Sequence, residues 1–205
     1  MKKIITLLLL LLTIVSTSYS QPTMALEKGI NEYPWTETGV YYKDLYNVLD
    51  PFVGTYTYTN PATNTSFKII LQKKTSSLFG SFYQDMLIGT YQYIENGVTK
   101  VDELNDLTTN NYTDGRRHFI NGYMLLVGNI MGCANCSADE IRVHGSIQDP
   151  VSGSVDDLII RKIMVNGQEA ISIFILHSIN YRPEGSPPPI PISYPLSQDI
   201  VLLKD

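Results

Sequence analysis

The chain has 205 residues, with 20 Asp and Glu against 15 Lys and Arg and a formal net charge of −5 at pH 7. That balance argues against nucleic acid or anionic membrane as the main partner, because both demand clustered positive charge. The length suits one domain with a full core, and two cysteines are too few for a disulfide-rich scaffold.

Lys2 and Lys3 precede an apolar run from Ile4 to Val15, followed by polar Ser16 to Gln21. This is the order of a signal peptide, with Ser18 and Ser20 as the small residues before cleavage at Ser20-Gln21. The run is about a dozen residues, whereas a spanning helix needs about 20. No later stretch is long and apolar enough, so no membrane span is expected in the mature chain. The expectation is an exported protein, periplasmic or extracellular. Residues 1–20 are the signal peptide, 21–39 an N-terminal arm and 40–205 a single β-barrel domain.

After the arm, Tyr42, Leu45, Tyr46 and Leu49 fall at i, i+3, i+4 and i+7, which predicts a short helix. Asp50-Pro51 ends it, since the residue before proline is pushed out of the α region. The pattern then changes to period 2. Phe67, Ile69 and Leu71 alternate with Lys68, Ile70 and Gln72. Ile141, Val143, Gly145 and Ile147 alternate with Glu140, Arg142, His144 and Ser146, which predicts a strand with one dry and one wet face.

Asn96-Gly97 and Asn166-Gly167 each sit between two such runs and predict tight hairpins, because Asn-Gly tolerates the positive φ of a type I′ turn. "QDPVSGSVDD" is a longer connection of the same kind. Strands are predicted over 53–59, 65–73, 85–95, 98–103, 119–130, 139–148, 157–165, 169–177 and 198–204. So many short strands with hairpin turns exclude a βαβ plan and predict an all-β barrel or sandwich. "YRPEGSPPPIPISYP" (181–195) is too proline-rich for a central strand and reads as a stiff connection before the last one.

A short helix followed by Gly54-Thr55-Tyr56, with Tyr58 two residues on, resembles the opening of lipocalin-like barrels, where the motif is usually Gly-x-Trp. The resemblance implies an antiparallel lipocalin-like barrel of eight or nine strands with a short N-terminal helix. It also implies that Tyr56 closes the barrel base against a late cation, Arg161 or Lys204. The stretches "FVGTYTYTN", "FKIILQKK", "DMLIGTYQYIENGV", "DLIIRKI" and "DIVLLK" are similar to a group of exported flavobacterial proteins carrying a domain of unknown function. That similarity implies export and one β domain, and brings no activity with it.

In a barrel of this size side chains fill the interior or leave room for one small ligand. The inward faces would place Tyr56, Phe67, Ile69, Leu71, Leu125, Val127, Ile141, Val143 and Ile147 around such a ligand, small and apolar or amphipathic. The alternative is a structural or protein-interaction domain with a filled core, meeting a protein partner through its tyrosine-rich first half and its proline-rich loop.

Cys133-Ala-Asn-Cys136 lies between two strands rather than at a helix start, so a disulfide tightening the loop is expected over a redox pair or half a zinc site. Asp114-Gly-Arg-Arg-His118 could bind an anion but reads as a solvated turn. His144 is expected on the wet face of its strand, and His177 ends another. Gly-x-Ser-x-Gly, His-Glu-x-x-His and glycine-rich phosphate loops do not occur. No catalytic residue, metal or cofactor is expected, and the chain is not read as an enzyme.

Overall fold

A computed structural model of the chain describes residues 20–29, 37–131, 133, 135–177, 188, 190–196 and 198–205. All but the last residue of the expected signal peptide lies outside these, as does much of the proline-rich stretch 181–195.

Among these residues eleven strands form: β1 (Thr23–Ala25), β2 (Tyr41–Lys43), β3 (Gly54–Asn60), β4 (Thr65–Phe79), β5 (Phe82–Glu95), β6 (Val98–Asp102), β7 (Ile120–Val127), β8 (Ile141–Gln148), β9 (Val155–Val165), β10 (Gln168–Leu176) and β11 (Asp199–Lys204). One α-helix, α1 (Asp106–Thr109), and short 3₁₀ turns at Leu26–Gly29, Asp50–Phe52 and Gly115–Arg117 complete the described elements. Eight strands close an antiparallel ring in the order β3–β4–β5–β7–β8–β9–β10–β11. The ring shuts where Leu87, Ile88 and Gly89 of β5 meet Gly122, Asn121 and Ile120 of β7, and where Leu203 and Lys204 meet Thr57 and Tyr56.

All nine predicted strands are present, with ends shifted by up to about six residues, the most at the end of β4, while β1 and β2 were not predicted. Both Asn-Gly hairpins carry positive φ at both positions, 52° and 77° at Asn96-Gly97 and 49° and 83° at Asn166-Gly167, as a type I′ turn requires. The long β5 borrows its second edge in pieces: β2 at Tyr83 and Gln84, β7 at 87–89 and β6 at 92–95. The arm is tied in by β1, which pairs in parallel with β2.

The predicted helix over 42–49 is not there. Tyr41–Lys43 is a strand, and Asn47 sits at φ 55°, outside the helical region. The cause is Asp44. Its carboxylate accepts the backbone N–H groups of Val48 at 2.8 Å and Leu49 at 3.2 Å, offering them an alternative to helical bonds. Lys73 pairs with the same carboxylate at 2.9 Å, and Asp44 N–H donates to Asp85 at 3.0 Å. These long-range partners override the local helical period.

Residues 44–53 cap one end of the barrel, with Leu49 and Phe52 buried beneath and Tyr56 Oη donating to Phe52 O at 3.1 Å. The other end is covered by Tyr194, whose hydroxyl meets Asp156 Oδ2 at 2.9 Å and Ile147 O at 3.3 Å and whose ring packs edge-on to Tyr91. The ring closure depends on a close approach of β7 and β8. Gly122 and Gly145 pair directly, next to a bulge between Gly122 and Met124. A Cβ on Gly145 would stand 1.7 Å from Asn121 O.

Candidate functional site

Inside the ring, Tyr56, Phe67, Ile69, Leu71, Leu125, Val143 and Ile147 join one buried core, while Val127 and Ile141, paired at the rim, are partly buried. The structure therefore brings the proposed lining residues together, but against one another. Phe67 meets Tyr91 and Tyr93 edge-to-face at centroid distances of 5.7 and 5.4 Å. Leu87, Tyr91, Ile120, Ile147, Ile171, Ile173 and Leu202 are all 0% exposed and packed into the same core. Lys204 stands opposite Tyr56 as the resemblance implied, yet its ammonium goes to Glu169 at 2.7 Å, and Arg161 goes to Glu140.

Phe67, Tyr93 and Ile200 of the core do meet open space. The β3–β11 ladder stops at Leu203–Thr57. Beyond it the two strands part around a cavity of about 350 Å³ lined by Tyr58, Phe67, Tyr93, Pro195 and Ile200.

A larger pocket, about 480 Å³, lies on the outer wall of β8–β11. Leu158 and Ile160 of β9 and Ile171, Ile173 and Ile175 of β10 point into the core. Ile159, Arg161, Ser172, Phe174 and Leu176, between them, point outward and line the pocket with Arg142 and Asp199. The connection from β7 to β8 folds over this wall and adds Met131, Cys133 and Asn135.

Cys133 and Cys136 form a disulfide, with Cα atoms 5.5 Å apart. Two arginines clamp the loop from below. Arg142 Nη2 donates to Gly128 O at 3.0 Å and to Ile130 O. Arg161 holds Glu140 through two nitrogens and donates to Asn135 O at 3.4 Å. That pairing keeps Glu140 below the usual carboxylate range.

The loop also corrects the reading of β8. Its outer face is not wet: Arg142 is 2% and His144 4% exposed. Burial pushes the His144 imidazole below its ordinary pKa, against the opposing pull of Asp157 3.4 Å away.

The other candidates are tied into the framework. His118 is buried rather than solvated, its Nδ1 2.6 Å from Asp106 Oδ2. Asp114 and Arg116 form an exposed ion pair at 2.6 Å, and Arg116 lies 4.2 Å over the Phe79 ring. His177 is partly exposed at the barrel end and meets buried Asp156 through Nδ1 at 2.7 Å. Among the described residues no three His, Cys, Asp or Glu side chains stand close enough to share a metal ion. No helix among them is long and apolar enough to cross a membrane.

A family model described as "Family of unknown function (DUF6705)" matches residues 1–205, the whole chain. The chain belongs to that family. No curated protein and no solved structure matches it.

The outer pocket was missed because alternation was taken to mean a wet outer face. The missed signal is in "DLIIRKI" and "ISIFIL". There Ile159, Phe174 and Leu176 interrupt the alternation, and runs apolar on both faces mark strands covered on both sides.

Proposed function

We propose that this member of the family is an exported, non-catalytic binding domain whose packed barrel is a scaffold and whose ligand lies on the outer wall, beneath the disulfide loop. The observation that carries this reading is the pocket of about 480 Å³ walled by Ile159, Phe174 and Leu176. Its size falls within the ordinary range for small-molecule sites, which are mostly apolar with a few convergent polar groups. The packed interior supports a ligand site outside the barrel rather than inside it, where the inward residues first put one. Export is supported by the amino-terminal pattern and by the disulfide, which persists in oxidising compartments. The non-catalytic reading rests on His118 and His144 being buried within the framework.

The test is titration of the mature protein with an uncharged apolar dye such as Nile red, beside a Phe174→Asp variant. Phe174 is half-buried on the outer wall and makes no part of the core, so the variant should keep its circular dichroism and melting behaviour. Saturable dye fluorescence in the wild type, lost in the variant, is the expected result. Saturable binding that Phe174→Asp leaves unchanged, or no binding at all, overturns the reading.

A further inference from the structure

Arg142 and Arg161 stand directly opposite one another across β8 and β9, and both line the outer pocket. Like charges in direct cross-strand register repel. The compensation here is lopsided. Arg161 has Glu140. Arg142, the more buried of the two, gives Nη2 to two neutral carbonyls, and its Nε has no partner among the described residues. Asp199 of β11 also lines the pocket, where Ser172 Oγ donates to it at 3.4 Å, and its charge acts on Arg161 rather than on Arg142. The floor of the pocket at the Arg pair therefore sets two guanidinium groups against one bonded carboxylate, Glu140, which acts on Arg142 at a distance but forms its ion pair with Arg161.

A buried guanidinium hydrogen-bonded only to carbonyls is costly, and an anion brought to it removes part of that cost. From the same floor an apolar strip runs along Ile159, Phe174 and Leu176.

We infer that the pocket takes a single-chain amphiphile with an anionic head: the head is set against the Arg142–Arg161 pair and the chain along Phe174 and Leu176. This rests on the proposal that the outer pocket is the binding site. Burial lowers the Arg142 pKa, and the neighbouring Arg161 adds to that while Glu140 opposes it. That is the direction expected of a cation short of a counter-charge.

The experiment is calorimetric titration of the mature protein with dodecanoate, dodecanol and dodecyltrimethylammonium, each below its micelle concentration. The titrations are repeated with Arg161→Met, Arg142→Met and Phe174→Asp. Dodecanoate should bind at least about tenfold more tightly than dodecanol, the effect of one charge-assisted hydrogen bond, and the cation should bind weakest. Arg161→Met should bring the ratio of dodecanoate to dodecanol affinity toward one; because Arg161 also holds the loop over the pocket, that ratio and not the dodecanol affinity is the readout. That variant keeps the inference testable if Arg142→Met does not fold. Equal affinity for dodecanoate and dodecanol, both abolished by Phe174→Asp, would overturn the anionic head and leave the pocket standing. No binding of any of the three, or binding that Phe174→Asp does not touch, would overturn the pocket itself and this inference with it.

Discussion

Replacing both Cys133 and Cys136 with serine removes the covalent clip from the pocket's roof. The bond spans a sequence separation of 3. In the chain-entropy picture a loop that short restricts the unfolded chain by only about 2 kcal/mol. The folded state should lose little more, because the loop has other attachments. Arg142 holds Gly128 O and Ile130 O, Arg161 holds Glu140 and Asn135 O, and Glu140 N–H donates to Ser137 O at 3.2 Å. For a domain of this length each kcal/mol moves the melting midpoint by about 2–4 °C, so the expected fall is about 4–8 °C with cooperativity retained. Thermal unfolding followed by circular dichroism measures it. Thiol titration of the denatured, unreduced wild type should find no free thiol. Two titrating thiols would show the bond absent. A variant that fails to fold, or that melts at the wild-type midpoint, would refute the reasoning that the clip acts on the loop alone.

Gly145→Ala should be far more damaging. Its Cβ would stand 1.7 Å from Asn121 O and 2.7 Å from Gly122 Cα, both backbone atoms that cannot swing aside. Relief requires β7 to move off β8 at the point where the ring closes onto β5. A loss of about 3 kcal/mol or more is expected by denaturant unfolding, and a loss below about 1 kcal/mol would mean that the close approach is wrong. His144 should make stability pH-dependent. Its folded pKa lies below the ordinary 6.5 because burial disfavours the charged ring. The folded state then binds fewer protons than the unfolded chain. Its stabilising term is full above the unfolded pKa and shrinks as pH falls below it, by at most about 1.4 kcal/mol per pH unit. His144→Leu should flatten the stability curve between pH 6.5 and 5 relative to the wild type, and identical slopes would contradict the assignment.

How much was legible can be followed through particular residues. Asn96-Gly97 and Asn166-Gly167 announce their hairpins because positive φ is a property of the turn residues themselves. The alternation around Phe67 and Ile69 announces a strand because side chains on a pleated backbone must face opposite ways. The Cys133–Cys136 bond is local in the same sense, since a turn of the intervening residues suffices to bring the sulfurs together. The period of Tyr42, Leu45, Tyr46 and Leu49 misled because Asp44 captures the Val48 and Leu49 amides while Lys73 and Asp85 hold Asp44, and the last two are distant in sequence.

The amino-acid sequence by itself determined the nine strands from β3 to β11, their hairpins and the loop clip, because these follow from backbone preferences and contacts between near neighbours. Only the tertiary structure decided which strands shut the ring, that the interior is filled, and that the outer wall of β8–β11 is covered. Those outcomes turn on residues far apart in the chain. Gly122 and Gly145 must meet for β7 to reach β5, Tyr194 must return to cover the barrel end, and the loop after β7 must fold back over Arg142 and Arg161 before an outward strand face becomes a pocket.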